Sequence, residues 1–438
     1  MNIILLSGGS GKRLWPLSND VRSKQFIKIF SDGHGGKESM AQRVCRQLNE
    51  VSPGTVITVA TGKRQKSAVV NQLGSDVGVC IEPSRRDTFP AIALASSYMA
   101  SEKNLKPEDV IIVCPVDPYV DNGYFETLPR LEKAVLEGDA NLTLMGVTPT
   151  YPSAKYGYII PEAGEGEVRR VKSFREKPDE ATAREYIAQG ALWNCGVFAF
   201  RLGYMLSLLH EYLDFDCYAD VYAQYDKLPR ISFDYAVVEK EKRISCIEYS
   251  GEWFDVGTWN TFSEVMSEPT IGNAVLGDAC RNTNIVNEMN VPVLAMGCEN
   301  MIIAVGPDGV LVSRKPESAS IKPFVDRFDM RVMYEEKSWG EYQVLYETDH
   351  SLTLKLSVQA GKALSYHEHK TRNESWTVLS GRGMVTLDGQ SFPIEAGQGI
   401  ELPQGKPHKL AALTDMELIE IQFGRVIDDG DKRKRLEH

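Results

Sequence analysis

The sequence predicts an α/β chain in three parts: a large domain on a mostly parallel sheet (residues 1–270), a small β domain with a connecting helix (271–333) and a C-terminal β-barrel (334–435). Three observations predict it. Up to Val147, short apolar runs alternate with helix-length amphipathic stretches, the pattern of strand–helix–strand units. Residues 272–316 hold brief apolar bits separated by Gly, Asn and Asp. Residues 352–423 alternate apolar and polar positions between glycine turns, as barrel strands do.

At 438 residues the chain exceeds what one hydrophobic core organises. No window approaches the roughly 18 apolar residues of a membrane span. The opening residues form a strand with no basic leader, so a cytoplasmic location without a membrane partner is expected. The eight cysteines show no CxxC spacing, and Cys80 and Cys114 sit in apolar runs, so reduced core thiols are expected. The closing Leu436-Glu437-His438 reads as the remnant of a purification tag.

The first strand, Ile3 to Leu6, empties into Ser7-Gly8-Gly9-Ser10-Gly11-Lys12-Arg13-Leu14-Trp15-Pro16. Glycines let backbone N–H groups approach an anion closely. This is neither the dinucleotide fingerprint, since Leu14 stands where a third glycine would, nor a Walker loop, since Arg13 follows Lys12. Residues 1–30 carry Lys12, Arg13, Arg22, Lys24 and Lys28 against Asp20 alone, in a chain of net charge −11. That contrast points to a small polyanion and argues against nucleic acid.

Together with Lys24-Gln25-Phe26, this string resembles the signature of sugar-1-phosphate nucleotidylyltransferases, and its RLWPLS wording is similar to the mannose-1-phosphate guanylyltransferase branch. The resemblance implies a Rossmann-like nucleotidyltransferase domain. It assigns Leu6, Gly8, Gly9, Gly11, Lys12 and Arg13 to the nucleoside triphosphate, with Arg13 and Lys24 offsetting developing negative charge. Ser23 stands where the family has proline.

Helix and strand then alternate. Ser39 would cap a helix through Leu48, Val56 to Thr61 and Val77 to Ile81 are strands, and a helix runs from Thr88 to Lys103. In such sheets ligands lie beyond the carboxyl ends of the strands. The segment Glu82-Pro83-Ser84-Arg85-Arg86-Asp87-Thr88 reads either as a capped helix start or, by resemblance, as the base-reading and ribose-reading turn. The resemblance gives Glu82, Arg86 and Thr88 to the nucleotide, with Glu82 accepting from guanine. The wording SRRDTFP differs from the family's GRNTAP.

The strand Val110 to Val113 runs into Cys114-Pro115-Val116-Asp117-Pro118, where the family places a metal-binding aspartate, with histidine in place of Pro118. Asp255, in Trp253-Phe254-Asp255-Val256-Gly257, matches the second. Mg2+ is hard and commonly takes one or two carboxylates plus phosphates, so Asp117 and Asp255 form the expected Mg2+ pair. Further family segments imply a sugar-phosphate pocket from Tyr156, Gly157, Glu176, Lys177, Asn194, Gly196 and Asp234.

The small β domain is similar to a short left-handed β-helix in relatives, and packing or a homo-oligomer is its expected role. A helix from Ile321 to Phe328 and the charged stretch Tyr334-Glu335-Glu336-Lys337 read as a connector. Beyond them, Gly361, His367, His369, Glu374 and Gly381, followed by Gly397, Pro403, Gly405 and His408, carry a second constellation. His367 and His369 are two apart on a strand and share a face. With Glu374 and His408 they supply three imidazoles and a carboxylate, a donor set for a transition ion such as Zn, Mn, Fe, Ni or Co.

The spacing is that of the two cupin motifs, and a guanylyltransferase fused to a cupin resembles the bifunctional enzymes carrying type II phosphomannose isomerase. Their QxHxHRxEHW becomes Tyr366-His367-Glu368-His369-Lys370-Thr371-Arg372-Asn373-Glu374-Ser375-Trp376 here. The glutamine is absent and the arginine displaced. The expected reaction is transfer of a nucleoside monophosphate from GTP to mannose 1-phosphate. Another base or hexose 1-phosphate, or a catalytically silent sugar-nucleotide sensor, stands as the alternative.

Overall fold

The structure is a computed structural model that describes residues 1–9, 11–329, 331–425, 427 and 429–435. Ser10 of the glycine loop and Leu436-Glu437-His438 lie outside the described residues. The chain forms two compact units: Met1–Ser10 with Gln25–Met266, and Gly11–Lys24 with Ser267–His438.

The first unit is built on a nine-stranded sheet. Its first four strands in spatial order are Gly78–Glu82, Val56–Gly62, Asn2–Ser7 and Val110–Pro115, all parallel. Most of their Val, Ile and Leu are buried, among them Ile3, Ile4, Leu5, Ile57, Val59 and Ile111 to Val113, as parallel strands require. Next come Leu192–Arg201, Leu142–Val147, Ile244–Tyr249, Val168–Arg175 and Gly157–Pro161. Here most pairings are antiparallel, and the loop from Pro161 to Val168, too short for a crossover helix, joins its two strands as a hairpin. Gly157–Pro161 also pairs with Leu192–Arg201, closing these five strands into a ring. The alternation in the sequence therefore describes the parallel half, and the antiparallel ring is what the structure adds.

Local signals account for the helices. Met40–Val51 begins at a capping box: the Gln42 N–H donates to Ser39 Oγ at 3.2 Å and the Ser39 N–H donates to Gln42 Oε1 at 3.0 Å. Thr88–Glu102 is apolar nearly all round because the sheet lies on one side and the helices Leu202–His210 and Tyr218–Ala223 on another. Cys80 and Cys114 are fully buried, and all eight cysteines are free thiols. Among the described residues no helix is long and apolar enough to cross a membrane.

In the second unit, Thr270–Ile271, Asn284–Asn287 and Met301–Gly306 stack in parallel beside a second ladder of Ala274–Leu276 and Val293–Ala295. Gly309–Arg314 returns antiparallel. Two further sheets, of six and five strands, make the C-terminal barrel around Trp376, Leu356, Val378, Val385, Leu410 and Leu418. Along Ser351–Val358 every second residue is buried, which is the period expected of a strand with one face on the core.

Two expectations need correction. Tyr334–Lys337 is no connector: it pairs antiparallel with Gly340–Glu347 as the edge strand of the barrel. Glu336 is buried, and the short Ser338-Trp339 link closes a hairpin. Residues 11–24 also depart from the expected domain, since they pack within the second unit. Trp15 stacks on Phe328 at 5.3 Å, Asn19 Nδ2 donates to Asp308 Oδ2 at 2.7 Å, and Arg22 forms a bidentate pair with Glu288 at 2.7 and 2.9 Å. The Arg22 guanidinium lies 4.6 Å from the centre of the Tyr334 ring.

Breaking a shielded, bidentate ion pair from one side strands the other charge. Glu288→Ala should therefore destabilise the second unit by about 3 kcal/mol in urea titration. A loss below about 0.5 kcal/mol would place the pair with ordinary surface salt bridges.

Candidate active site and metal cluster

In the first unit the parallel register brings the carboxyl ends of four strands to one edge. Leu6 lies opposite both Ala60 and Pro115, and Gly62 opposite Glu82. A cavity of about 490 Å³ opens at that edge. Of the residues expected in the site, Leu6, Gly8, Gly9, Glu82, Arg86, Thr88, Asp117, Tyr156, Asn194, Gly196, Asp234 and Asp255 line it. Open space surrounds the Cα hydrogens of Gly8 and Gly9, and Gly9 has φ 139°, so the backbone here is exposed to a ligand.

Asp117 and Asp255 approach through a two-stranded ribbon. Trp253–Asp255 runs antiparallel to Pro118–Val120, with Asp255 directly opposite Pro118. Gly196, at φ 76°, sits in a bulge of Leu192–Arg201 that turns Asn194 toward the cavity. Asn194 Nδ2 donates to Asp234 Oδ1 at 2.6 Å. Burial, reinforced by Glu176, pushes the Asp234 carboxyl up to about 6 against that hydrogen bond.

Gly157, Glu176 and Lys177 stand outside the cavity wall. Glu176 Oε1 accepts from Lys177 Nζ at 2.7 Å, while its Oε2 is buried with no hydrogen-bond partner among the described residues. Glu176 Oε2 and the Phe174 ring crowd the α-carbon of Gly157, so a Cβ there would not fit. Gly11, Lys12, Arg13 and Lys24 belong to the segment grouped with the second unit and do not line the cavity. Lys12 Nζ lies 2.8 Å from Asp326 and 3.3 Å from Asp20. Gly11 answers a packing demand of its own, because a Cβ would come within 2.9 Å of the Lys24 backbone nitrogen.

The barrel of the second unit gathers His367, His369, Glu374 and His408, all buried, with one ligand atom of each within 4.8 Å of every other. His367 and His408 face each other across a strand pair. His367 Nδ1 lies 2.6 Å from the Ser365 carbonyl, a contact that assigns the proton to Nδ1 and leaves Nε2 as a donor to a metal; His408 places Nδ1 3.0 Å from the Lys406 carbonyl and Nε2 3.1 Å from Glu374 Oε2. Burial lowers His367 to about 3 and His369 to about 4, so both rings are neutral near pH 7. Although burial opposes it, the bond to His408 together with His369 and Arg372 keeps the Glu374 carboxyl below its ordinary range. The displaced Arg372 does reach the cluster: its Nε donates to Glu374 Oε1 at 3.1 Å.

A family model described as nucleotidyl transferase matches residues 2–270. The chain belongs to the nucleotidyl transferase family. In this nucleotidyl transferase, residues 329–438 match a second model, mannose-6-phosphate isomerase C-terminal. The mannose-1-phosphate guanylyltransferase of Escherichia coli is 30% identical over 98% of this chain and 97% of its own length. The xanthan biosynthesis protein XanB of Xanthomonas campestris pv. campestris is 30% identical over 98% and 96%. A crystal structure described as mannose-1-phosphate geranyltransferase from Thermus thermophilus is 29% identical and superposes with a TM-score of 0.62, covering 75% of this chain and 99% of that one.

The transferase site contains residues that sequence reasoning left out. Trp253 and Arg85 line the cavity, and Tyr225, fully buried, donates from its hydroxyl to Glu82 Oε2 at 2.8 Å. Trp253 and Arg85 each adjoin a motif already read as functional, so proximity in sequence could have flagged them. Tyr225 lies far from any motif and carries no such signal.

Three imidazoles and a carboxylate at these separations fit a divalent transition ion. Elemental analysis of untagged protein should find about one such ion per chain. His367→Ala should lose it, and a metal-free wild type would refute the assignment.

Proposed function

We propose that this chain transfers a nucleoside monophosphate from a nucleoside triphosphate to a hexose 1-phosphate, with GTP and mannose 1-phosphate as substrates and GDP-mannose and pyrophosphate as products. The observation that carries this reading is the convergence of Gly8-Gly9, Glu82, Asp117 and Asp255 on one cavity at the carboxyl edge of a parallel sheet. Family membership and the names of full-length relatives support the same reaction.

The sugar-phosphate oxygen attacks the α-phosphorus in line and pyrophosphate leaves. Such chemistry depends on positioning and charge neutralisation more than on covalent catalysis. The exposed Gly8-Gly9 backbone would receive the triphosphate. Asp117 and Asp255 would hold Mg2+, which when bound offsets negative charge on the phosphates. Arg13 and Lys24 take charge-stabilising roles on the family pattern. Asn194 and Asp234, already hydrogen-bonded to each other, would orient sugar hydroxyls.

Lys24→Ala and Asp255→Asn should each lower turnover by about 10²-fold, the scale of losing one preorganised charge-stabilising group. Pyrophosphate release across four triphosphates and several hexose 1-phosphates checks both the variants and the substrates. Near-normal release by either variant removes that residue from the mechanism, and equal use of GTP and ATP by the wild type removes the guanine assignment.

The second unit supports a second reading, interconversion of mannose 6-phosphate and fructose 6-phosphate, favoured by the family match and by the buried cluster. Aldose–ketose exchange also demands a base at the C1–C2 edge. An assay started from fructose 6-phosphate should show turnover that disappears in His367→Ala. Its absence in metal-replete wild type would limit the barrel to metal binding.

A further inference from the structure

Glu82 is 9% exposed and lines the cavity, yet a carboxylate held by one flexible side chain selects a base poorly unless something fixes its plane. The structure supplies that constraint from a distant part of the chain. Tyr225 is 1% exposed, and its hydroxyl donates to Glu82 Oε2 at 2.8 Å. Among the described residues, Glu82 Oε1 accepts no hydrogen bond from the protein. The next residues hold the rest of the same turn. Asp226 Oδ1 accepts from Ser84 Oγ at 2.8 Å and from Arg86 Nη1 at 3.3 Å, and the Leu228 carbonyl accepts from Arg86 Nε at 3.0 Å.

We propose that Tyr225 is a specificity-determining positioning residue, which orients the Glu82 carboxylate so that its free oxygen meets the paired N–H donors of guanine. The proposal rests on the reading that Glu82 faces the base. Guanine presents N1–H and the 2-amino group side by side. Adenine presents an acceptor, N1, at the equivalent place and would meet a carboxylate lone pair. The discrimination exists only while Glu82 is an acceptor at both oxygens. Burial favours its neutral form, and the Tyr225 hydrogen bond opposes that tendency. Without the hydroxyl the side chain would be freer to rotate and to take up a proton, and a protonated carboxyl can donate to adenine N1.

The test measures kcat/KM for GTP and for ATP in the full-length wild type, Tyr225→Phe, Glu82→Gln and the double variant, with melting temperature as a control. Phe keeps the buried ring and removes only the hydroxyl. Tyr225→Phe should lower the GTP-to-ATP ratio about tenfold, the scale of a hydrogen bond to a charged group, with KM for mannose 1-phosphate unchanged. Because both residues act through one carboxylate, the double variant should be no less selective than Glu82→Gln alone. A guanine preference that Glu82→Gln blunts and Tyr225→Phe leaves intact overturns the role of Tyr225 while the Glu82 reading stands. Equal losses with GTP and ATP in Tyr225→Phe mark a structural role and overturn the proposal. A wild type that does not distinguish GTP from ATP overturns the Glu82 reading and the proposal together.

Discussion

The first unit depends on the parallel register of four strands around Asn2–Ser7. Parallel strands in register must end together, so Ser7, Gly62, Glu82 and Pro115 arrive at one edge. The loops that follow inherit a shared mouth. Each strand is buried on both faces by helices, which leaves its carboxyl end as the place where polar groups can face a ligand. The short-looped antiparallel ring completes the other side of that mouth, carrying Asn194 and Gly196 on a bulged strand.

Burying the polar machinery is costly, and the protein meets the cost differently in its two units. In the transferase cavity, buried carboxyls receive neutral donors: Tyr225 for Glu82 and Asn194 for Asp234. These donors stabilise charge without cancelling it, so the carboxyls keep acceptor capacity for substrate. The barrel cluster mixes neutral rings with one carboxylate shared by His369, His408 and Arg372. Desolvation there keeps His367 and His369 unprotonated, which is the form a metal needs.

Segment 11–24 shows how one stretch can satisfy two kinds of demand. Its glycine and basic residues follow the family pattern for triphosphate, yet Trp15, Asn19 and Arg22 are fastened within the second unit. Gly11 is needed there for close backbone packing, whatever it does for an anion. A motif residue therefore has no single reason for its identity.

The sequence by itself determined the class of the sheet's first half, the barrel, the helix cap at Ser39 and the four-residue His/Glu set. Each of these is written in local periodicity or in short spacing, where neighbours along the chain are also neighbours in space. Resemblance to family segments also singled out Glu82, Asp117 and Asp255, all of which line the cavity. Only the tertiary structure decided that Tyr334–Lys337 pairs as an edge strand, that residues 11–24 pack with the second unit, and that Tyr225 bonds to Glu82. These are pairings between side chains or backbones whose partners are chosen by packing. A buried tyrosine looks the same in sequence whether its hydroxyl meets a cavity-lining carboxylate or a structural carbonyl, and only the fold selects between them.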